Sequence, residues 1–398
     1  MKILIQKFGG TSVSTPDKRV CVLNKVKEAI KNGYMPVVVV SAIGRKGDPY
    51  ATDTLLSLIG ENKTHLANQE KDLLMCCGEI ISSVVLSELF SKEGIKCRVL
   101  TGGQAGILTD NNFSNADVLK VDAVKVYDLL MEGTVPIVTG FQGVTKNGEF
   151  TTLGRGGSDT TATLLGEALN AEAIEIFTDV DGIMTADPRI VEEAKVIDKI
   201  SYSEVFQLAD HGAKVIHPRA VSYAMKGNIP IYIKNTMSNA NGTMISSSDE
   251  MNNTHIITGI THMPLRTQIS IRFEEDTPSS NDLFTVLADE GISIDLINVF
   301  PQYKAFTIDD SDTDKVKAIL DKLCPDYSII RNCSKVSVIG SGMKGIPGVM
   351  SKILKALSIE NIKVLQTADS HMTIWCLVEE HNTKKAINIL HKTFNLEK

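Results

Sequence analysis

Four consecutive valines, Val37 to Val40, constrain the fold of this chain more than any other feature of its sequence. A continuous β-branched run directly after a proline is typical of a strand that is buried on both faces of a parallel sheet. The apolar periodicity predicts further strands at 2–6, 96–100, 135–139, 173–177 and 229–233, and helices at 17–31, 71–94, 116–132, 203–210 and 219–226. This alternation predicts an α/β sandwich with a mostly parallel sheet.

The stretch from Phe150 to Thr163 (FTTLGRGGSDTTAT) places three glycines around Arg155 and then begins an apolar-periodic helix. Glycines let backbone N–H groups approach a ligand closely, and the first turn of a helix attracts anions. Ser158 or Asp159 is predicted to be the N-cap of this helix. The residues alone leave two interpretations open, a phosphate or carboxylate site and a capping loop that needs glycine for its path.

A second stretch of small residues begins at Lys7, which ends the first predicted strand and precedes Gly9, Gly10 and Ser12. Ligands of parallel α/β sheets bind outside the carboxyl ends of the strands, so a cation and glycines at this place favour a phosphate site. The spacing is not that of a P-loop, and an exposed strand-end lysine is the alternative. Polar residues also follow other predicted strands at this edge of the sheet, namely Ser41, Thr178 and Asp179.

The totals indicate a soluble globular protein of two or three domains: 398 residues, 43% hydrophobic and 22% charged, with a net charge of −7. No basic stripe stands out, so nucleic acid is not expected as a partner. Neither a signal peptide nor a membrane-spanning window is expected. Seven cysteines without a CxxC pair favour reduced thiols and a cytoplasmic location. His211 and His217 lack the spacing of metal ligands, so no metal site is predicted within the protein.

The composition changes near residue 235, which predicts a first domain at 1–235 and a linker at 236–255 that is rich in Asn and Ser. Beyond it, strand and helix patterns return after about 65 residues. This repeat predicts two small α+β modules at 256–332 and 333–398, with a first strand that is able to pair into the second module. Neither module shows a nucleophile, a base or a phosphate loop, which favours a ligand sensor or an assembly surface.

Four motifs in this order resemble those of the aspartate kinases, which have the amino acid kinase fold. They are KFGGTSV at 7–13, FTTLGRGGSDTTA at 150–162, FTDVDGI with TADPR at 177–189, and GAKVIHP at 212–218. The resemblance runs through the whole chain and includes the C-terminal pair of modules, which are similar to tandem ACT domains. It implies a catalytic amino-acid-kinase-like domain at 1–235, followed by two ACT-like (βαββαβ) regulatory modules.

The resemblance implies that ATP, carrying Mg²⁺, phosphorylates the β-carboxylate of L-aspartate. The product would be 4-phospho-L-aspartate, from which lysine, threonine and methionine are made. By motif position, the catalytic residues would be Lys7 and Asp159, and the aspartate-binding residues Ser41, Thr52, Glu79, Arg155 and Ser158. The ATP-binding residues would be Lys7, Gly9, Gly10, Ser12, Thr178, Asp179, Met184, Asp187, Arg189 and Lys214. Many family members carry tyrosine where this chain has Met184, so the resemblance leaves the adenine contact there open.

The ACT-like pair implies feedback inhibition by an end-product amino acid, and a homodimer or a dimer of dimers built through these modules. Lysine is the first expectation. Threonine and diaminopimelate are alternatives, because residues 276–280 and 298–301 depart from the family pattern. The effector positions are predicted to be Ser293, Asp295, Asn361 and Ile362. Two other functions remain open at this point, a kinase of the same fold with another acceptor and a catalytically inactive amino-acid sensor.

Overall fold

The structure, a computed structural model, describes residues 2–60, 65–213, 215–247, 256–272, 279–324, 326–343 and 345–398, with the backbone alone at 279–282. The chain forms two compact units. The first comprises residues 1–183, 196–209 and 214–251, and the second comprises 184–195, 210–213 and 252–398. Residues 184–195 and 210–213 therefore pack in the second unit although they lie within the predicted first domain, whose boundaries stay a prediction.

The first unit is an α/β fold. Its strands are β1 (Ile3–Phe8), β2 (Met35–Val40), β3 (Cys97–Leu100), β4 (Ile107–Thr109), β5 (Val118–Val121), β6 (Val135–Thr139), β7 (Gln142–Val144), β8 (Phe150–Thr152), β9 (Ala173–Thr178), β10 (Lys199–Ser201), β11 (Ile231–Asn235) and β12 (Thr243–Ser246). Its helices are α1 (Pro16–Lys31), α2 (Thr52–Ser57), α3 (Asn68–Lys92), α4 (Val124–Met131), α5 (Gly157–Leu169), α6 (Tyr202–Asp210) and α7 (Pro218–Gly227).

An eight-stranded sheet forms the centre of the first unit, in the order β10-β12-β11-β9-β1-β2-β6-β3. Neighbouring strands in it are parallel except β11 and β12, so the prediction of a mostly parallel sheet is confirmed. The valines of β2 are fully buried, as expected of a strand covered on both faces.

The three central strands end together at one edge of this sheet. Lys7 of β1 lies opposite Val39 of β2 and Ile176 of β9. One residue further, the rings of Phe8 and Phe177 stack with their centroids 4.8 Å apart. This alignment brings the loops that follow β1, β2 and β9 to the same edge, where parallel α/β sheets bind their ligands.

A four-stranded sheet, β5-β4-β7-β8, was not predicted. The single helix expected at 116–132 is wrong, because Val118–Val121 pairs with β4 and only Val124–Met131 is helical. Asp72 of α3 fastens this sheet to the helix. Its Oδ2 accepts hydrogen bonds from the backbone N–H groups of Ser114 and Thr152 at 2.9 and 2.8 Å.

Helix α3 is long and apolar enough to cross a membrane by length and composition, contrary to the expectation that no such window exists. Leu86 and Phe90 of this helix pack in the core of the first unit. Its buried face also carries two carboxylates, Asp72 and Glu79. A core helix that is apolar on most of its surface has the same composition, so length and composition by themselves do not indicate a membrane protein.

The second unit is built around an antiparallel six-stranded sheet in the order β14-β15-β13-β16-β18-β17. Its strands are β13 (Gly259–Arg272), β14 (Asp295–Phe300), β15 (Tyr303–Asp309), β16 (Asp326–Ile339), β17 (Gln366–Asp369) and β18 (Thr373–Glu379). Its helices are α8 (Ser279–Asp289), α9 (Thr313–Leu323), α10 (Val349–Ile359) and α11 (Thr383–Thr393).

Strands β13 and β16 run through both halves of this sheet. Residues 259–263 of β13 pair with 335–339, whereas residues 266–272 pair with 326–333 and with β15. The register shifts near Leu265, whose φ of +56° is left-handed. The two halves of β13 also serve different cores, because Ile260 packs with the second module and Ile269 with the first.

Equivalent positions in the two modules are 70 residues apart rather than about 65. Lys315 pairs with Glu290 in the first module, and Lys385 pairs with Glu360 in the second, each at 2.9 Å. The apolar patterns at 292–297 and 362–366 predict strands from residues 292 and 362, but the strands begin later, at 295 and 366. The reason is that Ile292 and Ile362 enter their cores from the turn that closes the preceding helix.

Candidate active site

One cavity of about 540 Å³ lies in the first unit at the carboxyl edge of the eight-stranded sheet. The predicted catalytic and aspartate-binding residues all line it: Lys7, Ser41, Thr52, Glu79, Arg155, Ser158 and Asp159. They come from β1, the loop after β2, α2, α3, the loop before α5 and the first turn of α5. Segments that are far apart in the sequence thus converge on one site.

Lys7 and Asp159 form an ion pair at the base of this cavity. Lys7 Nζ lies 2.6 Å from Asp159 Oδ1, and the side chains are 11% and 13% exposed. Asp159 belongs to the first turn of α5, where the positive end of the helix dipole favours a carboxylate. A largely buried ion pair of this kind holds the ammonium group of Lys7 in a fixed direction.

The glycine-rich loop before α5 has a backbone that only glycine adopts readily. Gly154 and Gly156 have φ values of +72° and +70°. A Cβ on Gly156 would stand 2.2 Å from the Cβ of His217, so this position also has no room for a side chain. Gly156 itself is the N-cap of α5. The predicted caps, Ser158 and Asp159, are therefore wrong, and these residues lie in the first turn of the helix instead.

Arg155 projects from this loop as an exposed side chain that lines the cavity. No carboxylate of the described residues forms an ion pair with its guanidinium. A planar guanidinium in this situation is able to bind a carboxylate through two parallel hydrogen bonds. Arg155 is thus available to an acidic ligand.

Glu79 supplies a buried carboxylate to the same cavity. The residue is 2% exposed, and its Oε1 accepts a hydrogen bond from the backbone N–H of Ala42 at 3.0 Å. Its Oε2 has no hydrogen-bond partner among the described residues. Burial raises the pKa of Glu79 to about 8. A cationic ligand group would satisfy the free oxygen and favour the ionised form.

The Gly9-Gly10 turn is packed closely against the loop after β2. A Cβ on Gly10 would stand 2.6 Å from the carbonyl oxygen of Ala42, whereas a Cβ on Gly9 would stand 3.8 Å from Lys7 Nζ. A side chain at Gly9 would therefore occupy space beside the Lys7 ammonium, which a phosphate group could otherwise use. Ser12 is buried, and its hydroxyl lies 2.6 Å from Thr236 Oγ1, so this hydroxyl holds the turn in place.

Thr178 and Asp179 follow β9, as predicted, but they do not line the cavity. Asp179 accepts a bond from Arg45 at 2.6 Å, and its Oδ1 accepts one from the Thr178 hydroxyl at 3.2 Å. Sequence reasoning missed Arg45, which lines the cavity together with Lys46. The signal was present, because two consecutive cations follow Ser41 in the loop at the carboxyl end of β2.

The other predicted ATP-binding residues do not belong to the described part of the first unit, which holds the cavity. Met184, Asp187 and Arg189 belong to the second unit, and Lys214 lies outside the described residues. The Arg189 guanidinium donates to both oxygens of Asp187, at 3.0 and 2.7 Å. These bonds hold the pKa of Asp187 below its usual range. The pair presents one cation and one anion side by side near the surface.

The predicted effector positions divide into two pairs in the second unit. Ser293 is exposed, and Asp295 forms an ion pair with the buried ammonium of Lys335. Asn361 has a left-handed φ of +54°, and Ile362 is 4% exposed in the core of the second module. The side chain of Ile362 therefore packs inside the module, and only its backbone is available to a ligand.

Metal binding by the protein alone finds no support in the described residues, among which no three His, Cys, Asp or Glu side chains converge. The cations of the cavity instead provide a place for anionic groups. Lys7, Arg45, Lys46 and Arg155 line it together with three acidic residues, Asp53, Glu79 and Asp159. Such a donor set fits the phosphates of a nucleotide and the carboxylates of a small acid.

Comparison with known families agrees with this site. The model of the amino acid kinase family matches residues 2–235, and the model of an ACT domain matches residues 328–392. The fold and the cavity thus define a kinase of small carboxylic acids, joined to a domain of the ACT type.

Full-length relatives narrow this class. Aspartokinase 1 of Bacillus subtilis is 46% identical over 406 residues and covers 100% of both chains. The aspartokinase of Geobacillus stearothermophilus is 38% identical over 403 residues and covers 100% of this chain and 98% of its own. The chain belongs to the aspartokinases, which are ATP-dependent kinases.

Solved structures show the same fold. Clostridium acetobutylicum aspartate kinase has a TM-score of 0.81 at 25% identity and covers 98% of this chain and 100% of its own. Escherichia coli aspartokinase III, solved with aspartate and ADP, has a TM-score of 0.80 at 24% identity and covers 99% and 100%. The same enzyme with lysine and aspartate has a TM-score of 0.77 at 25% identity, with the same coverage.

Proposed function

We propose that this chain transfers the γ-phosphoryl group of ATP to the β-carboxylate of L-aspartate, which gives 4-phospho-L-aspartate. The observation that supports this most is the convergence of seven predicted residues on one cavity, with Lys7 Nζ 2.6 Å from Asp159 Oδ1. The products feed the synthesis of lysine, threonine and methionine. The shared family supports a cytoplasmic site of action.

The reaction needs positioning and charge stabilisation rather than a general base. The acceptor carboxylate is already ionised at neutral pH, so no proton has to be removed before it attacks the phosphorus atom. The Lys7 ammonium would neutralise charge that develops on the transferring phosphoryl group. Asp159 would orient that ammonium, because the two side chains are paired and largely buried.

The aspartate end of the site would use three kinds of contact. The Arg155 guanidinium would hold the α-carboxylate, and the free Oε2 of Glu79 would accept a hydrogen bond from the α-ammonium group. The hydroxyls of Ser41, Thr52 and Ser158 would complete the pocket. Opposite charges at two places make this arrangement selective for an amino acid over a simple dicarboxylate.

The nucleotide would lie against the Gly9-Gly10 turn and Lys7, with its Mg²⁺ carried on the phosphates. The absence of a side chain at Gly9, where a Cβ would stand 3.8 Å from Lys7 Nζ, supports a phosphate at this place. Thr178 and Asp179, together with Met184, Asp187, Arg189 and Lys214, would contact the rest of the nucleotide. Because Ser12 pairs its hydroxyl with Thr236, its contribution would be to support the turn, with only its backbone near the ligand.

The second unit would bind an end-product amino acid that inhibits the kinase, with lysine as the first choice. A cationic effector would be a second partner for Asp295, whose carboxylate already pairs with the buried ammonium of Lys335. The modules at 256–332 and 333–398 would also join two chains into a dimer, or two dimers into a tetramer.

Acceptor screening tests the proposed reaction. The full-length protein with MgATP and each of L-aspartate, L-glutamate and N-acetyl-L-glutamate should form an acyl phosphate, trapped by hydroxylamine, with aspartate alone. Omission of Mg²⁺ should abolish the signal. Turnover with another acceptor would identify a different amino acid kinase. Ligand binding without any turnover would identify an inactive sensor.

An inhibition panel tests the proposed effector. Lysine, threonine and diaminopimelate, singly and in pairs, should be compared on the wild type and on Asp295→Asn. Lysine should inhibit the wild type, and the variant should require at least tenfold more of it, because the substitution removes the negative charge that Lys335 and the effector's ammonium group would share. Inhibition by threonine or diaminopimelate alone would exclude lysine as the effector.

A further inference from the structure

Residues 184–195, which we call the strap, carry three of the predicted nucleotide contacts but pack with the C-terminal module. Two hydrogen bonds close the strap on itself. Thr185 N donates to Lys195 O at 2.9 Å, and Lys195 N donates to Thr185 Oγ1 at 3.1 Å. Met184, Asp187 and Arg189 all lie within or beside this closed loop. Their placement therefore depends on what holds the loop.

Helix α11 holds the strap through two side chains. His391 Nε2 and Thr185 Oγ1 share a buried hydrogen bond of 2.9 Å, and Asn388 Nδ2 donates to Ile190 O at 3.0 Å. His391 is 1% exposed. These bonds fix the strap at its closed neck, through Thr185, and at the turn that contains Arg189, through Ile190.

The strap is also part of the hydrophobic core of the second module. Ala186 and Val191 are 4% and 1% exposed, and they belong to the same buried cluster as Ile260, Ile387 and Leu390. In addition, Ile260 N donates to Thr185 O at 2.8 Å, which attaches the strap to β13. The strap is thus a built-in part of this module rather than a loop resting on its surface.

The internal repeat shows that this face of α11 is special to the second module. Val316 and Leu320 of α9, which face the sheet of the first module, correspond to the buried Ala386 and Leu390 of α11. The strap-facing residues of α11 instead correspond to exposed residues of α9: Ile387 to Lys317, Asn388 to Ala318, and His391 to Asp321. The two modules have the same fold, but only the second has a helix face, partly polar and partly apolar, that contacts the strap.

We propose that His391 and Asn388 are positioning residues for the nucleotide, because they hold the strap from which Met184, Asp187 and Arg189 reach it. The C-terminal module then serves ATP binding as well as regulation. This inference rests on the proposed function, which assigns the strap to the nucleotide. It predicts that changes on α11 weaken nucleotide binding and leave aspartate binding unchanged.

The test compares four variants of the full-length protein: His391→Ala, Asn388→Ala, His391→Gln, and Lys392→Ala, an exposed neighbour on α11, as the matched control. Loss of one hydrogen bond to a buried partner changes a binding constant by about five- to tenfold. We expect His391→Ala to raise the KM for ATP, and the Kd for ADP measured by calorimetry, by about this factor. Asn388→Ala should give a smaller rise, His391→Gln should restore most of the affinity, and Lys392→Ala should match the wild type.

Two outcomes would overturn the inference. Unchanged ATP and ADP affinity in folded His391→Ala and Asn388→Ala would exclude a positioning role. An equal rise in the KM values for aspartate and ATP would indicate general structural damage. If His391→Ala does not fold, Asn388→Ala decides, because its side chain is only partly buried. A wild type that neither binds ADP nor phosphorylates aspartate would instead refute the proposed function itself.

Discussion

Burial raises the pKa of Glu79 to about 8, and this value couples aspartate binding to pH. Only the ionised carboxylate attracts the α-ammonium group of the substrate, so the measured Kd equals the intrinsic Kd divided by the ionised fraction. With a pKa of 8, this fraction is about 3% at pH 6.5 and about 75% at pH 8.5, so aspartate should bind about 25-fold more tightly at the higher pH. Binding near pH 7 should also release almost one proton.

Calorimetry in two buffers with different ionisation enthalpies measures both quantities. Glu79→Gln is the matched control, because its amide oxygen is still able to accept the bond from Ala42 N but carries no charge. This variant should bind aspartate weakly, at a level that does not change between pH 6.5 and 8.5, and without proton release. A flat pH profile for the wild type, or the same slope in Glu79→Gln, would refute the coupling.

Other substitutions test the site and its supports. Lys7→Ala should lower kcat by roughly a hundredfold or more, because one preorganised group at a developing charge contributes about 3 kcal/mol; ADP release measures it, and near-normal turnover would remove Lys7 from the mechanism. Gly156→Ala should lower the free energy of unfolding by at least about 1–2 kcal/mol, since φ is +70° and its Cβ would meet His217; an unchanged urea midpoint would contradict the steric argument. Asp72→Asn should lower the free energy of unfolding by about 1–3 kcal/mol, because an uncharged amide replaces a buried carboxylate that accepts two backbone N–H bonds at Oδ2 and two hydroxyl bonds at Oδ1; a variant as stable as the wild type would contradict this assignment.

The parallel sheet could be predicted because periodicity is a local property. The valines of β2 are buried wherever the strand lies in the sheet, so their composition alone was sufficient. Edge strands such as β5 have a weaker apolar pattern, and the pattern around Val118–Val121 predicts a helix instead. The N-cap of α5 was also misassigned, since a left-handed Gly156 cannot be told from its neighbouring glycines by sequence alone.

The site was predicted from motifs rather than from spacing. Nothing in the local sequence places Lys7 within 2.6 Å of Asp159, and only the family resemblance joined them. The same resemblance could not show that the Ser12 hydroxyl forms a hydrogen bond with the Thr236 hydroxyl, because that contact depends on how two distant segments pack. The packing of the strap could not be predicted from the sequence either, since the residues that bury Val191 lie more than sixty positions further along the chain.

The shared strands of the second unit limit how its parts can be exchanged. Strands β13 and β16 each contribute one half to the first module and the other half to the second. No single cut in the chain therefore separates the two modules. A chimera that takes residues 333–398 from another aspartokinase would have a strand β16 made of sequence from both parents. Residues 259–263 of one parent would then pair with residues 335–339 of the other. Transfer of effector specificity between relatives therefore requires the whole segment from 256 to 398 as one block.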